Sequence, residues 1–159
     1  MDTSKLSVGD QVAAVSGIVL LIVMFLPWYG VDVNVAGFSA SESVNAWEAM
    51  SFIDIVLFIV ALVAIGVPVA RASGSLPDDM PGSLLLLAAG GIGLLLALFR
   101  LIDIPAPDIP AAAESSVDFG RKIGLFLGVL ATAGIAYGGW RANEEETVGS
   151  TPAPAPPPA

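Results

Sequence analysis

Four stretches of the chain carry no charged residue and consist mainly of Leu, Ile, Val, Ala and Gly: Gln11–Val31, Ile55–Ala70, Met80–Phe99 and Ile123–Trp140. A helix needs about 20 mainly apolar residues to cross about 30 Å of hydrocarbon. The second run reaches that length by extending back to Ala49, past Asp54. The pattern therefore predicts transmembrane helices at about 11–29, 49–70, 82–102 and 119–140. Such runs fill half the chain, which argues against the buried helices of a soluble protein.

The ends of these runs carry matching punctuation. Ser7-Val-Gly-Asp10 has the form of a helix-start box, with Ser7 accepting from backbone N–H groups. Pro27 weakens a helix just before Trp28 and Tyr29, which suit the headgroup level. Trp47 opens the second span, and Tyr137 and Trp140 close the fourth, giving two aromatic belts. A cleaved signal peptide would need a basic start and a small-residue cleavage site. Here Pro-Trp-Tyr follows the first apolar run instead.

Between the spans the pattern changes. In loop 1, Val31, Val33 and Val35 alternate with Asp32, Asn34 and Ala36, the period of a strand. That loop reads either as a short hairpin turning near Gly37 or as a simple exposed turn, too short for an independent sheet. Loop 2, from Arg71 to Pro81, is rich in turn residues. Loop 3, from Asp103 to Val117, holds Pro105, Pro107 and Pro110 and reads as extended. From residue 142 the chain turns acidic and then Pro-rich, the composition of a disordered tail with polyproline II bias. The expected architecture is an all-α membrane protein. Residues 1–141 form a four-helix transmembrane bundle with a strand-like loop 1, and residues 142–159 form the tail.

Composition agrees and removes whole classes of function. The chain is 55% hydrophobic and 13% charged over 159 residues, against about 45–50% and about 25% for soluble proteins. This excludes a soluble domain, a disordered chain and a collagen-like fibre. With net charge −9 and only six Lys and Arg, there is no polybasic lipid-binding or nucleic-acid-binding surface. Neither cysteine nor histidine occurs, so thiolate or imidazole metal sites, thiol nucleophiles and the commonest general base are ruled out. No phosphate loop is present: Gly90-Gly91-Ile92-Gly93 lies inside an apolar run. Ser16 and Ser51 have no neighbouring base, and paired-aspartate proteolysis would need a second deep Asp beside Asp54. No enzyme, metal or cofactor is expected. The expected partners are the lipid bilayer and either another membrane protein or further copies of the chain.

Two charges interrupt the apolar runs, Asp54 and Arg100. Such residues cost roughly 2.5–3.5 kcal/mol at mid-helix, less near an end, and usually face the protein interior with a partner. Both fall near the same membrane face, because the second and third spans are antiparallel. Each shares a helical stripe with small residues: Ala61, Ala64 and Pro68 from Asp54, and Ala97, Gly93 and Ala89 from Arg100. Gly120, Gly124 and Gly128 repeat a Gly-x-x-x-Gly spacing in the fourth span, beside Arg121. The pattern points to an ion pair of Asp54 with Arg100 that sets helix register. Trp47, Glu48, Asp103 and Arg121 are candidates for its surroundings. A polar pocket for a headgroup or small ligand is the other reading. A conduction path would need more polar groups than Gln11, Ser16 and Thr132.

Phe25-Leu-Pro-Trp-Tyr-Gly30, Ala46-Trp-Glu-Ala-Met-Ser-Phe-Ile-Asp54, Phe99-Arg-Leu-Ile-Asp103 and Gly139-Trp-Arg141 resemble segments of uncharacterised four-span membrane proteins of high-GC bacteria. The resemblance covers the membrane part and implies location and span count. It singles out Trp47, Glu48, Asp54 and Arg100 for testing. An even number of spans puts both termini on one side. The basic residues are tied, with Lys5, Arg71 and Arg141 against Arg100, Arg121 and Lys122. Loop 1 has no basic residue and Lys5 precedes the first span, so cytoplasmic termini in the plasma membrane are expected. The expected function is association, as an accessory subunit or small scaffold. The alternative is a small transporter or ligand sensor using the Asp54–Arg100 pocket.

Overall fold

The computed structural model describes residues 3–35, 37–47, 52–77, 79–103 and 117–149. Glu48, the proline-rich part of loop 3 and the chain beyond 149 lie outside them. The elements in order are α1 (Val8–Val23), β1 (Pro27–Val35), β2 (Phe38–Asn45), α2 (Phe52–Ser73), α3 (Gly82–Ile102), β3 (Val117–Arg121) and α4 (Ile123–Gly149). The described chain is mostly helical. Of its helices, α2, α3 and α4 are long and apolar enough to cross a membrane, while α1 is a shorter apolar helix of 16 residues.

The sheet corrects the all-α expectation. β1 pairs antiparallel with both β2 and β3, in the order β2-β1-β3. Loop 1 is thus a full hairpin, turning at Gly37, whose φ of +87° suits a residue without a Cβ. A third strand from the far end of loop 3 completes a sheet that a lone hairpin would not sustain. Two span boundaries move accordingly. The first helix ends at Val23 rather than near 29, because Pro27 cannot continue it and the alternating valines pair as strand. The fourth helix begins at Ile123, after β3 has taken Gly120 and Arg121, while α2 is described from Phe52, the expected start at 49 lying outside the described residues. The helix-start box is formed: Ser7 Oγ accepts from Asp10 N–H at 3.0 Å, and the Asp10 carboxylate accepts from Ser7 N–H at 3.2 Å.

Helix packing follows a repeat of three and four residues. The buried positions are Asp10, Ala13, Gly17 and Leu20 in α1. In α2 they include Asp54, Leu57, Ala61, Ala64 and Pro68. In α3 they include Ser83, Leu86, Gly90, Gly93, Ala97 and Arg100. This spacing lines one face of each helix. α1 packs on α2 and α4, and α3 packs on α2 and α4. α4 therefore needs two contact stripes, Gly124-Gly128-Ala131-Ile135-Gly138-Ala142 and Leu125-Thr132-Gly139. A Cβ on Gly138 would lie 2.6 Å from the backbone nitrogen of Ala13, and one on Gly139 would lie 2.6 Å from the carbonyl carbon of Leu86. Many bulky side chains point outward, although Leu20, Leu57, Leu86, Leu125 and Ile135 are buried. Val15, Ile18 and Ile22 of α1, Ile55, Ile59 and Leu62 of α2, Leu84 and Leu95 of α3, and Phe126 and Leu130 of α4 are exposed. Small residues inside and large apolar residues outside suit a lipid surround, where packing rather than water exclusion holds helices together.

Sheet and helices are joined by Trp28. The register of β1 slips between Pro27 and Tyr29, a bulge that re-aims a side chain. The Trp28 ring is fully buried among Val23, Met24, Leu57 and Leu125. It fills the space left by two glycines, and a Cβ on Gly128 would lie 2.9 Å from its Cη2 atom. Its Nε1–H donates at 2.8 Å to the Val23 carbonyl at the end of α1, which also accepts from the Leu26 N–H at 3.0 Å. Trp28 is a core residue and not part of an aromatic belt, whereas Tyr137 and Trp140 are exposed as a belt requires.

Residues 142–149 are helical rather than disordered, because α4 continues to Gly149, and the rest of the expected tail lies outside the described residues. Arg141 pairs with Glu144 and Glu145 one turn on, Glu145 accepts from the Val8 N–H at 3.1 Å, and Glu146 meets Arg71 and Ser83. The acidic run is thus held in helix by contacts with three other helices.

Trp28→Ala removes both the ring and the hydrogen bond. It is expected to lower stability by about 3–5 kcal/mol, the range for a buried large aromatic. Thermal unfolding of the variant in lipid nanodiscs measures this, and a change under about 1 kcal/mol would show that the ring does not join the layers.

Candidate functional site

Polar side chains gather at both ends of the helices, and the two clusters do different work. The first lies next to the sheet. Asp54, in the first turn of α2, and Arg100, in the last turn of α3, are 3% and 5% exposed. Arg100 Nη2 lies 3.7 Å from Asp54 Oδ2. The stripes beneath them pack as small residues should: Ala61, Ala64, Pro68, Gly93 and Ala97 are buried. Ala89 is only half-buried, and Gly90 takes its place on the stripe.

The same cluster closes the end of α3. The last carbonyls of a helix lack intrahelical donors, and in an apolar surround each needs another. Asp103 N–H donates to the Phe99 carbonyl at 2.8 Å. Tyr29 Oη donates to the Arg100 carbonyl at 3.2 Å, and Arg121 Nε–H donates to the Leu101 carbonyl at 2.6 Å. Three consecutive carbonyls are thus met by the helix's own cap, by β1 and by β3. The Arg100 and Arg121 cations also suit the negative end of a helix dipole. Burial raises the Tyr29 phenol above its ordinary value, with the Arg100 charge opposing and the Asp54 and Asp103 charges adding. The hydroxyl therefore stays protonated and able to donate.

The remaining candidates lie around this cluster or away from it. Asp103 and Arg121 are exposed, and both act on α3 through backbone atoms or a carbonyl. Trp47 is half-buried between Phe25 and Phe58, with ring centroids 6.0 and 5.2 Å away. Its Nε1 has no hydrogen-bond partner among the described residues. Glu48 lies outside those residues. Gly120 belongs to β3, so the double Gly-x-x-x-Gly spacing does not run along one helix. Gly124 and Gly128 remain on α4 and receive Trp28.

The second cluster, at the opposite end, was not among the sequence candidates. Arg71 Nη1 donates to both oxygens of Asp10, at 2.9 Å each, and Arg71 Nη2 pairs with Glu146. Ser83 Oγ donates to Glu146 Oε2 at 2.6 Å. Asp10 is 0% exposed, so its charge depends on that guanidinium and on the Ser7 N–H. One network thereby ties the start of α1, the end of α2, the start of α3 and the end of α4. The signal for it was present in the same spacing that marks the core. Asp10 precedes Ala13 and Gly17 on the α1 stripe, and Ser83 precedes Leu86 and Gly90 on the α3 stripe.

Chemically, both clusters pair charges and satisfy helix ends. Among the described residues, no three or more His, Cys, Asp or Glu side chains are grouped to hold a metal ion. Neither a protein-family model nor a curated protein matches the chain.

If Asp54 and Arg100 interact directly, Asp54→Ala and Arg100→Ala should each destabilise the protein, and the double variant should recover part of the loss. A coupling of roughly 0.5–3 kcal/mol is expected from a thermal double-mutant cycle in nanodiscs, and strictly additive losses would sink the pair.

Proposed function

We propose that the chain is a four-span plasma-membrane protein, non-enzymatic, that acts by associating with another membrane protein as an accessory subunit or small scaffold. In this reading α1 is the fourth span. Its outward face of Val15, Ile18, Val19 and Ile22 supports that, as does its packing between α2 and α4. Both termini are cytoplasmic and the sheet lies outside. The lack of any basic residue between Gly30 and Asn45 supports this orientation.

The observation that carries the reading is the use made of the helices' inner faces. They are spent on one another at backbone distance, as at Gly138 against Ala13. The buried charges at both ends are engaged in pairs. What the molecule offers a second molecule is its outer surface and its sheet. A transporter or sensor working through Asp54 and Arg100 would have to open a pair that also lies beside the end of α3, where Tyr29 and Arg121 are bonded.

Extraction from native membranes in mild detergent, followed by particle mass and composition, tests the function. A stoichiometric partner is expected. A lone monomer would overturn the association reading and move the question to ligand binding by wild type against Asp54→Asn. Orientation has its own measurement, helped by the absence of native cysteine. With a membrane-impermeant maleimide on intact cells, Ser39→Cys should label at once and Ser4→Cys only after permeabilisation. The reverse order would invert the topology.

A further inference from the structure

The sheet ends in an edge that nothing in the described fold covers. β2 spans eight residues, all paired to β1 on one side, and the order β2-β1-β3 leaves its other side open. Residues 38–43 are exposed, with Phe38 at 87%. Natural edge strands are usually blunted by proline, lysine, a bulge or shortness, because unpaired N–H and C=O groups recruit another strand. β2 contains no proline or lysine, and the slip in its pairing with β1 falls at its end, opposite Val44 and Asn45, leaving Phe38–Val44 in continuous register. β3, the other edge, is five residues long and runs directly towards α4.

The side chains of β2 alternate cleanly. Phe38, Ala40, Glu42 and Val44 share one face, and Ser39, Ser41 and Ser43 share the other. On the first face the Tyr29, Val31 and Val33 positions of β1 lie opposite Val44, Glu42 and Ala40. Glu42 is therefore a lone carboxylate in an otherwise apolar row, set against Val31 and without a basic residue anywhere in the hairpin.

We propose that the open edge of β2 receives an extended strand of the partner protein. That strand carries a Lys or Arg opposite Glu42 and apolar residues opposite Ala40 and Val44. Main-chain hydrogen bonds provide the attachment and the cross-strand pairs provide the choice. Charge decides against a second copy as occupant. Antiparallel pairing of two β2 strands that keeps the apolar row on one face would bring two Glu42 carboxylates onto that face, and the hairpin's other charge, Asp32, is also acidic. The inference rests on the association reading and deepens it by naming the surface and the chemistry of the partner segment.

The test uses the full chain in native membranes, with a photocrosslinking phenylalanine in place of Ser43, and maps the captured peptide by mass spectrometry. The expected capture is one extended segment in which Lys or Arg alternates with apolar residues. Glu42→Lys, a change at an exposed position, should lower recovery of that partner by about tenfold or more. The partner should fall away while the thermal unfolding of the chain stays unchanged. Capture of β2 from a second copy, capture of lipid only, or full recovery of the partner with Glu42→Lys would each overturn the edge assignment. In the last case the partner is still present, so association stands and the edge alone fails. If no partner is recovered with either chain, both readings fail.

Discussion

Everything in the fold is arranged around the approach of α4 to two neighbours at once. Gly138 and Gly139 are consecutive, so they point in different directions, one towards α1 and one towards α3. Neither contact leaves room for a side chain. In lipid the gain from burying apolar surface between helices is small, and close packing has to supply the cohesion. Small residues on the inner stripes make that packing possible, and many large apolar residues lie on the outer surface. α2 then closes against α1 through Ala61 and Ala64, beside Gly17, and against α3 through Val60, beside Gly93.

Close packing of helices creates a second problem at their ends, where donors and acceptors lose their intrahelical partners. The two polar clusters answer it differently. At one end, the carboxylates of α1 and α4 meet the guanidinium of α2 and the hydroxyl of Ser83, so polar groups from four helix ends are engaged with one another. At the other, the sheet supplies the donors: Tyr29 and Arg121 reach the α3 carbonyls, and Trp28 reaches that of Val23. The sheet is therefore an integral part of the molecule. A hairpin set so firmly on the helices can present its outer edge in a fixed orientation, which is what recognition by strand addition needs.

Much of this was legible along the chain, and the reasons are local. Charge-free runs of sufficient length determined where helices of membrane character form, and α3 begins and ends where its run predicts. Ser7 and Asp10 lie three residues apart, and that spacing marks the helix start, although α1 begins at Val8, three residues before the expected span. The valine alternation determined that loop 1 favours strand. The placement of Asp54 and Arg100 near one face followed from counting turns along antiparallel helices. Other features depend on residues far apart in the chain, and only the tertiary structure decided them. Trp28 reads locally as a belt residue and becomes core because two glycines of α4, about a hundred positions later, leave a space of its size. Gly120 and Arg121 read as the start of a helix and become strand because β1 offers them a ladder. The acidic run after Arg141 reads as tail and becomes helix because Val8, Arg71 and Ser83 lie within reach. Periodicity and composition act through neighbours along the chain and so determined the helices and their inner faces. Close packing and the pairing of buried polar groups act through neighbours in space, and these only the tertiary structure could decide.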